Sequence, residues 1–138
     1  MTKTSREIQG DIYKLLQGSS IPSAISGSIY RNGCRPRDSR LEDVIVTFTA
    51  GLPEQIQTGV VTINVFVPDI DPEGNGIHLE DIERTEMLER LMSEWVESLS
   101  TRGSGYKYHL MQTIHTQEEP EIQQHFIVVR LGYEFFDE

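Results

Sequence analysis

The stretch Gly59-Val-Val-Thr-Ile-Asn-Val-Phe-Val67 leaves this chain few options. On an extended backbone Val61, Ile63, Val65 and Val67 point one way, and Thr62, Asn64 and Phe66 the other. Period-two alternation with β-branched residues on one side is the pattern of a strand laid on a core. Phe66 keeps the second side from being wholly wet. The strand stops at Pro68, which has no N–H to give to a ladder. Such a strand needs neighbours, and the flanking segments are patterned to supply them.

Upstream, Thr4-Ser-Arg-Glu7 is a capping box, and Ile8, Ile12, Leu15 and Leu16 follow as one apolar stripe on a helix. Gly18-Ser-Ser ends it, and Ile21-Pro22 predicts an extended turn, because the residue before proline is pushed out of the helical region. Residues 26–31 read as a short strand, and Asn32-Gly33 as a tight turn. A second strand is predicted over 43–49, with Val44, Val46 and Phe48 on one face and Ile45, Thr47 and Thr49 on the other. Gly51-Leu-Pro53 turns the chain back toward the central strand.

Downstream, residues 68–79 form a loop rich in Asp, Pro and Gly. A second helix is predicted from about 80 to 100, with Leu88, Leu91, Met92, Trp95, Val96 and Leu99 at spacings of three and four. Glu80, Asp81 and Glu83 suit its N-terminal dipole, and Arg102-Gly-Ser-Gly105 stops it. Two alternating segments, 106–115 and 123–134, flank a turn containing Pro120 and predict a closing hairpin. The tail, Phe135-Phe136-Asp-Glu138, carries two aromatics.

The order α-β-β-β-α-β-β predicts an α+β fold, one domain over residues 1–138. Its sheet is expected to be mainly antiparallel, of four to five strands, with both helices on one face, the simplest place to bury two apolar stripes. Ile45, Phe66, Phe126 and Val128 then lie on the opposite face, where a partner or a second subunit would cover them.

A net charge of −10 argues against a domain that coats nucleic acid, since neutralising phosphates takes an excess of Lys and Arg. No apolar run is long enough to span a membrane, and residues 1–25 lack the apolar core of a signal peptide. Cys34 is the only cysteine, so no intrachain disulfide forms and a reducing, cytoplasmic compartment is the expectation.

Three groups of residues are candidates for chemistry. Asp69, Asp71, Glu73 and Glu80 match the calcium-loop template at positions 1, 3, 5 and 12, with Gly74 at position 6 where the sharp turn falls. A strand enters this loop where a helix should, and Pro72 stiffens it. It reads first as a solvated acidic turn, open because its carboxylates repel, with a cation site as the alternative. Arg31, Arg35, Arg37 and Arg40 gather 4 of the 12 basic residues into ten positions. They either grip an acidic partner surface or pair with Asp38, Glu42 and Asp43. His115 and His125 face each other if the last turn centres on Pro120, but no third zinc ligand accompanies them, and with His109 they read as ordinary strand residues. No nucleophile elbow, phosphate loop or HExxH motif is present.

The chain resembles the head–tail joining proteins of tailed phages and prophages, the tail-completion and tail-terminator group. The residues that carry the resemblance are the leading helix with Ile12-Tyr-Lys-Leu-Leu16, then Gly27-Ser-Ile-Tyr30, the strand 59–67, the helix containing Trp95, and the closing Gln124-His-Phe-Ile-Val-Val-Arg-Leu131. The loop 68–79 has no counterpart in that pattern. The resemblance implies a small, non-enzymatic virion protein without cofactor. It would assemble with itself as a ring, commonly a hexamer, against tail-tube or connector proteins. The expected interface residues are Arg31, Arg35, Arg37, Arg40, Phe66, Phe126 and Val128. A cytosolic protein-binding module and a calcium-binding domain using Asp69, Asp71, Glu73 and Glu80 stand as the alternatives.

Overall fold

The structure is a computed structural model, and it describes residues 2–99 and 105–136. Helix α1 (Ser5–Gln17) starts as its capping box dictates: the Thr4 N–H donates to Glu7 Oε1 (2.9 Å) and the Glu7 N–H to Thr4 Oγ1 (3.4 Å). The Thr4 N–H, and after it the Thr4 hydroxyl (3.1 Å to Glu7 Oε1), donate to the carboxylate and hold Glu7 below the ordinary carboxylate range, the backbone N–H contributing most. Ile8, Ile12 and Leu16 are buried, and Leu15 only partly. Residues Ile21–Ala24 then form a one-turn helix, α2, instead of an extended turn. Pro22 sits in its first turn, where the missing N–H would have had no helical partner.

The sheet strands are β1 (Ile29–Arg31), β2 (Asp43–Leu52), β3 (Ile56–Pro68), β4 (Tyr106–Leu110), β5 (His115–Glu119) and β6 (Gln124–Phe136). Their spatial order is β1-β2-β3-β6-β4, and β5 also pairs with β6, beyond the end of β4. All pairs are antiparallel except β1 with β2. Asn32-Gly33 does make a tight turn, with the Cys34 N–H donating to Arg31 O (3.0 Å) and Gly33 at φ 91°. That turn does not close a hairpin. The segment 32–42 carries the chain back along the sheet, as a parallel pair requires.

The centre of the molecule is the strand anticipated from its alternation. Val65 lies between Val44 and Ile127, and Ile63 between Val46 and Val129, all of them buried. The β2–β3 hairpin is longer than the sequence pattern and contains a bulge between Phe48 and Ala50. Gly59 sits beside this bulge: a Cβ there would meet Tyr133 Oη at 2.6 Å and crowd the Ala50 carbonyl.

Helix α3 (Ile82–Leu99) buries Leu88, Met92, Trp95, Val96 and Leu99, with Leu91 at the margin. Its expected end at Ser100 and the stop signal at 102–104 lie outside the described residues, as do Asp137 and Glu138. The single strand expected over 106–115 is broken at 111–114 into β4 and β5. Helix α1 covers β1 and β2, and α3 covers β3, β6, β4 and β5, so both apolar stripes go to one face. The fold is α+β, as the order of elements predicted. Among the described residues no helix is long and apolar enough to cross a membrane.

Candidate interaction surfaces

The face opposite the helices carries Tyr30, Ile45, Thr62, Asn64, Phe66, Phe126 and Val128. It is not bare at the Phe66 end, because the loop 32–42 folds over it. Arg35 lies across Phe66, its guanidinium 4.4 Å from the ring centroid, and Phe66 packs on Phe126 at 5.4 Å. Val128 is buried, so it is covered within the monomer and does not wait for a partner.

A fully buried carboxylate fastens this loop. Asp43 accepts from Arg35 Nε (2.8 Å), from the Ser28 N–H (2.9 Å) and from the Ser39 hydroxyl. Arg35 Nη2 donates on to Gln124 Oε1 (2.9 Å), and Gln124 Nε2 to Ser39 O (2.9 Å). The pairing of the arginine cluster with Asp43 is thus realised at Arg35, whereas Glu42 takes Arg84 instead, with both guanidinium contacts at 2.7 Å. That bidentate bond strengthens Arg84's hold on its proton and raises its pKa. Arg40 donates to Ile122 O (2.6 Å), and the Arg31 guanidinium lies over the Tyr13 ring, 5.4 Å from its centroid. Arg37 is exposed. The cluster therefore divides: Arg35 and Arg40 tie the loop to β6 and its turn, while Arg31 and Arg37 face outward or onto α1.

The acidic loop is closed, not splayed. Ile70 and Leu79 exchange backbone bonds of 2.9 and 2.8 Å across it. Asp71 turns inward and accepts from the backbone N–H groups of Asn75 (3.1 Å) and Gly76 (2.9 Å), with Gly74 and Gly76 at φ 66° and 83°. Backbone donors relieve the carboxylate repulsion that the sequence pointed to. Glu73 accepts from the Asn75 side chain (3.3 Å). Asp69 and Glu80 are drawn to His125 at the loop's base: His125 Nδ1 donates to Asp69 Oδ1 (2.6 Å), and Nε2 lies 3.7 Å from Glu80 Oε1. Glu80 also accepts from the Thr85 hydroxyl (2.7 Å). Among the described residues no three His, Cys, Asp or Glu side chains are grouped to hold a metal ion.

His115 and His125 do not face each other. The turn is a 3-10 turn, Pro120–Ile122, followed by Gln123 at φ 55°, and it sets Glu119 opposite Gln124. His115 then pairs with Val128 and His125 with Glu118, which puts the two imidazoles on opposite faces. His109 lies opposite Gly132, and Cys34 is exposed.

Sequence reasoning missed a groove on the surface. It has a volume of about 1250 Å³ and runs along the outer flank of α3, from Ala24 of α2 to the β4–β5 link. Ile82, Met87, Leu91, Leu110 and Ile114 supply its apolar lining, and Glu83, Glu86, Glu89 and Glu94 surround it with Arg90 as the one basic residue among the lining. Ile82, Met87 and Leu110 are 62%, 44% and 38% exposed. The signal was present: Ile82 and Met87 are apolar residues off the helix's buried stripe. Only the kink at 111–114 shows that they share a groove with a sheet edge. At the other edge of the sheet, α1 flanks β1. Arg6, Gly10 and Lys14 are spaced by four and share one side of α1, and Arg31 lies over Gly10 and Tyr13.

No model of a protein family matches this chain, and no curated protein matches it. Solved structures do match, 18 chains of them. One, a protein that carries only a sequence designation, aligns over 98% of this chain and 97% of its own with a TM-score of 0.53 and 15% identity. The two share the α+β fold.

Proposed function

We propose that this protein is a non-enzymatic structural subunit that assembles as a ring at the head–tail junction of a tailed phage or prophage, like the tail-completion and tail-terminator proteins its sequence resembles. The observation that carries this reading is a pair of unlike surface patches. One, along α3 and the β4–β5 link, is an apolar groove rimmed by carboxylates, and the other, on α1 and β1, carries Arg6, Lys14 and Arg31 with Tyr13. Unlike patches on one subunit suit a head-to-tail contact, and such contacts close into rings when the rotation allows. Exposed apolar side chains at one such site favour work done by docking to protein.

Sedimentation velocity of the full chain from micromolar to millimolar concentration, with electron microscopy of the largest species, tests the reading. The expected result is a concentration-dependent closed particle with a central hole. A strict monomer at millimolar concentration that also fails to bind isolated phage tails would overturn it.

A further inference from the structure

We infer that the groove between α3 and the β4–β5 link is the seat for the α1–β1 edge of a second copy of this chain. The inference rests on the ring reading and names the two surfaces that meet.

The groove follows α3 from Ala24 of α2 to the β4–β5 link, and the other surface is built on α1 and β1, the last strand at the far edge of the sheet, so the two are different patches of one subunit. A contact between them is heterologous and propagates around a ring. Their chemistry is complementary. The groove offers an apolar floor from Met87, Leu110 and Ile114 with Glu86 and Glu94 exposed at its rim. The α1–β1 edge offers Tyr13 capped by the Arg31 guanidinium, with Arg6 and Lys14 exposed on the same side of the helix. Tyrosine and arginine are the residue types that concentrate binding energy when they fill a pocket. Lysine and arginine facing glutamates set the orientation and suppress contact between like edges. Within the monomer Glu89 already accepts from the Thr116 hydroxyl (2.6 Å), so Glu86 and Glu94 are the carboxylates to test.

The test is a charge swap in the full chain. Glu86→Lys with Glu94→Lys makes the groove basic; Arg6→Glu with Lys14→Glu makes the edge acidic. All four side chains are exposed, and thermal melts check that each variant folds as the parent does. Each pair alone should weaken self-association more than about tenfold at low salt, and less at high salt, where exposed charges are screened. The four substitutions together, or an equal mixture of the two paired variants, should restore assembly, because every groove then again meets an edge of opposite charge. A groove variant that assembles as well as the parent, or a fourfold variant that does not recover, overturns this seat. Rings formed by the groove variant would leave the ring reading standing and place the contact elsewhere. A parent that forms no ring overturns this seat, and one that also fails to bind isolated phage tails overturns the ring reading as well; binding of a synthetic Lys/Leu amphipathic peptide by that monomer would assign the groove to a different basic partner.

Discussion

Arg35 and Arg37 are two residues apart and have different roles. Arg35 is the largely covered partner of the fully buried Asp43, with its guanidinium over the Phe66 ring, whereas Arg37 is exposed. Removing one member of a buried, hydrogen-bonded ion pair strands the other's charge and typically costs about 3–5 kcal/mol. Arg35→Ala or Asp43→Ala should therefore lower the urea midpoint strongly, and Arg37→Ala should leave it near the parent's. The tyrosines make a second prediction at this scale. Tyr106, Tyr108 and Tyr133 all have raised pKa values, chiefly through burial, and Tyr106 also donates to Asp11 Oδ2 (2.6 Å). A raised folded value means that the fold prefers the neutral phenol. The stabilisation is complete below the ordinary tyrosine value of about 10 and is lost as pH climbs above it, since the unfolded chain then ionises first. Urea midpoints should fall above about pH 10, and Tyr108→Phe should flatten that fall. Phenolate absorbance read alongside would show late ionisation of the buried rings.

Among elements, α3 does most to close the core over β6. Trp95 is 7% exposed, with Leu99 and Met92 also buried. Truncating such a side chain leaves a cavity, and Trp95→Ala should cost about 3–5 kcal/mol, read as a shift in denaturant midpoint at constant slope. The β2–β3 hairpin makes the converse prediction. Gly59→Ala forces a methyl against the Ala50 carbonyl and the Tyr133 hydroxyl, and overpacking of this kind costs about 1–3 kcal/mol. The acidic loop is held from its base by Asp69 with His125 and closed at its tip by Asp71. Millimolar calcium is expected to leave the melting temperature unchanged, because Asp71 is already satisfied by backbone N–H groups. A calcium-dependent rise abolished by Asp71→Ala would instead make the loop a cation site. The register of the last hairpin was the least legible element. The 3-10 turn carries the pairing past Pro120, and the resulting odd shift moves His115 and His125 to opposite faces.

At the scale of the whole molecule, ring assembly makes apparent stability depend on concentration, since association favours the folded state. The melting temperature of the parent should rise with protein concentration, and that of the Glu86→Lys, Glu94→Lys variant should not. The sequence by itself determined the two amphipathic helices, the central strand, the face each valine takes and the α+β class. Those follow from periods of two and three-to-four residues, which are local and survive in any context. Tertiary structure alone decided that β1 runs parallel to β2, that the predicted strand over 106–115 breaks in two, and that Arg35 is spent on Asp43 and Gln124. It alone brought α3 and the β4–β5 link together as a groove. The physical reason is separation along the chain. Arg35 and Gln124 stand 89 residues apart, and no local pattern records which distant acceptor will satisfy a donor once the sheet has closed.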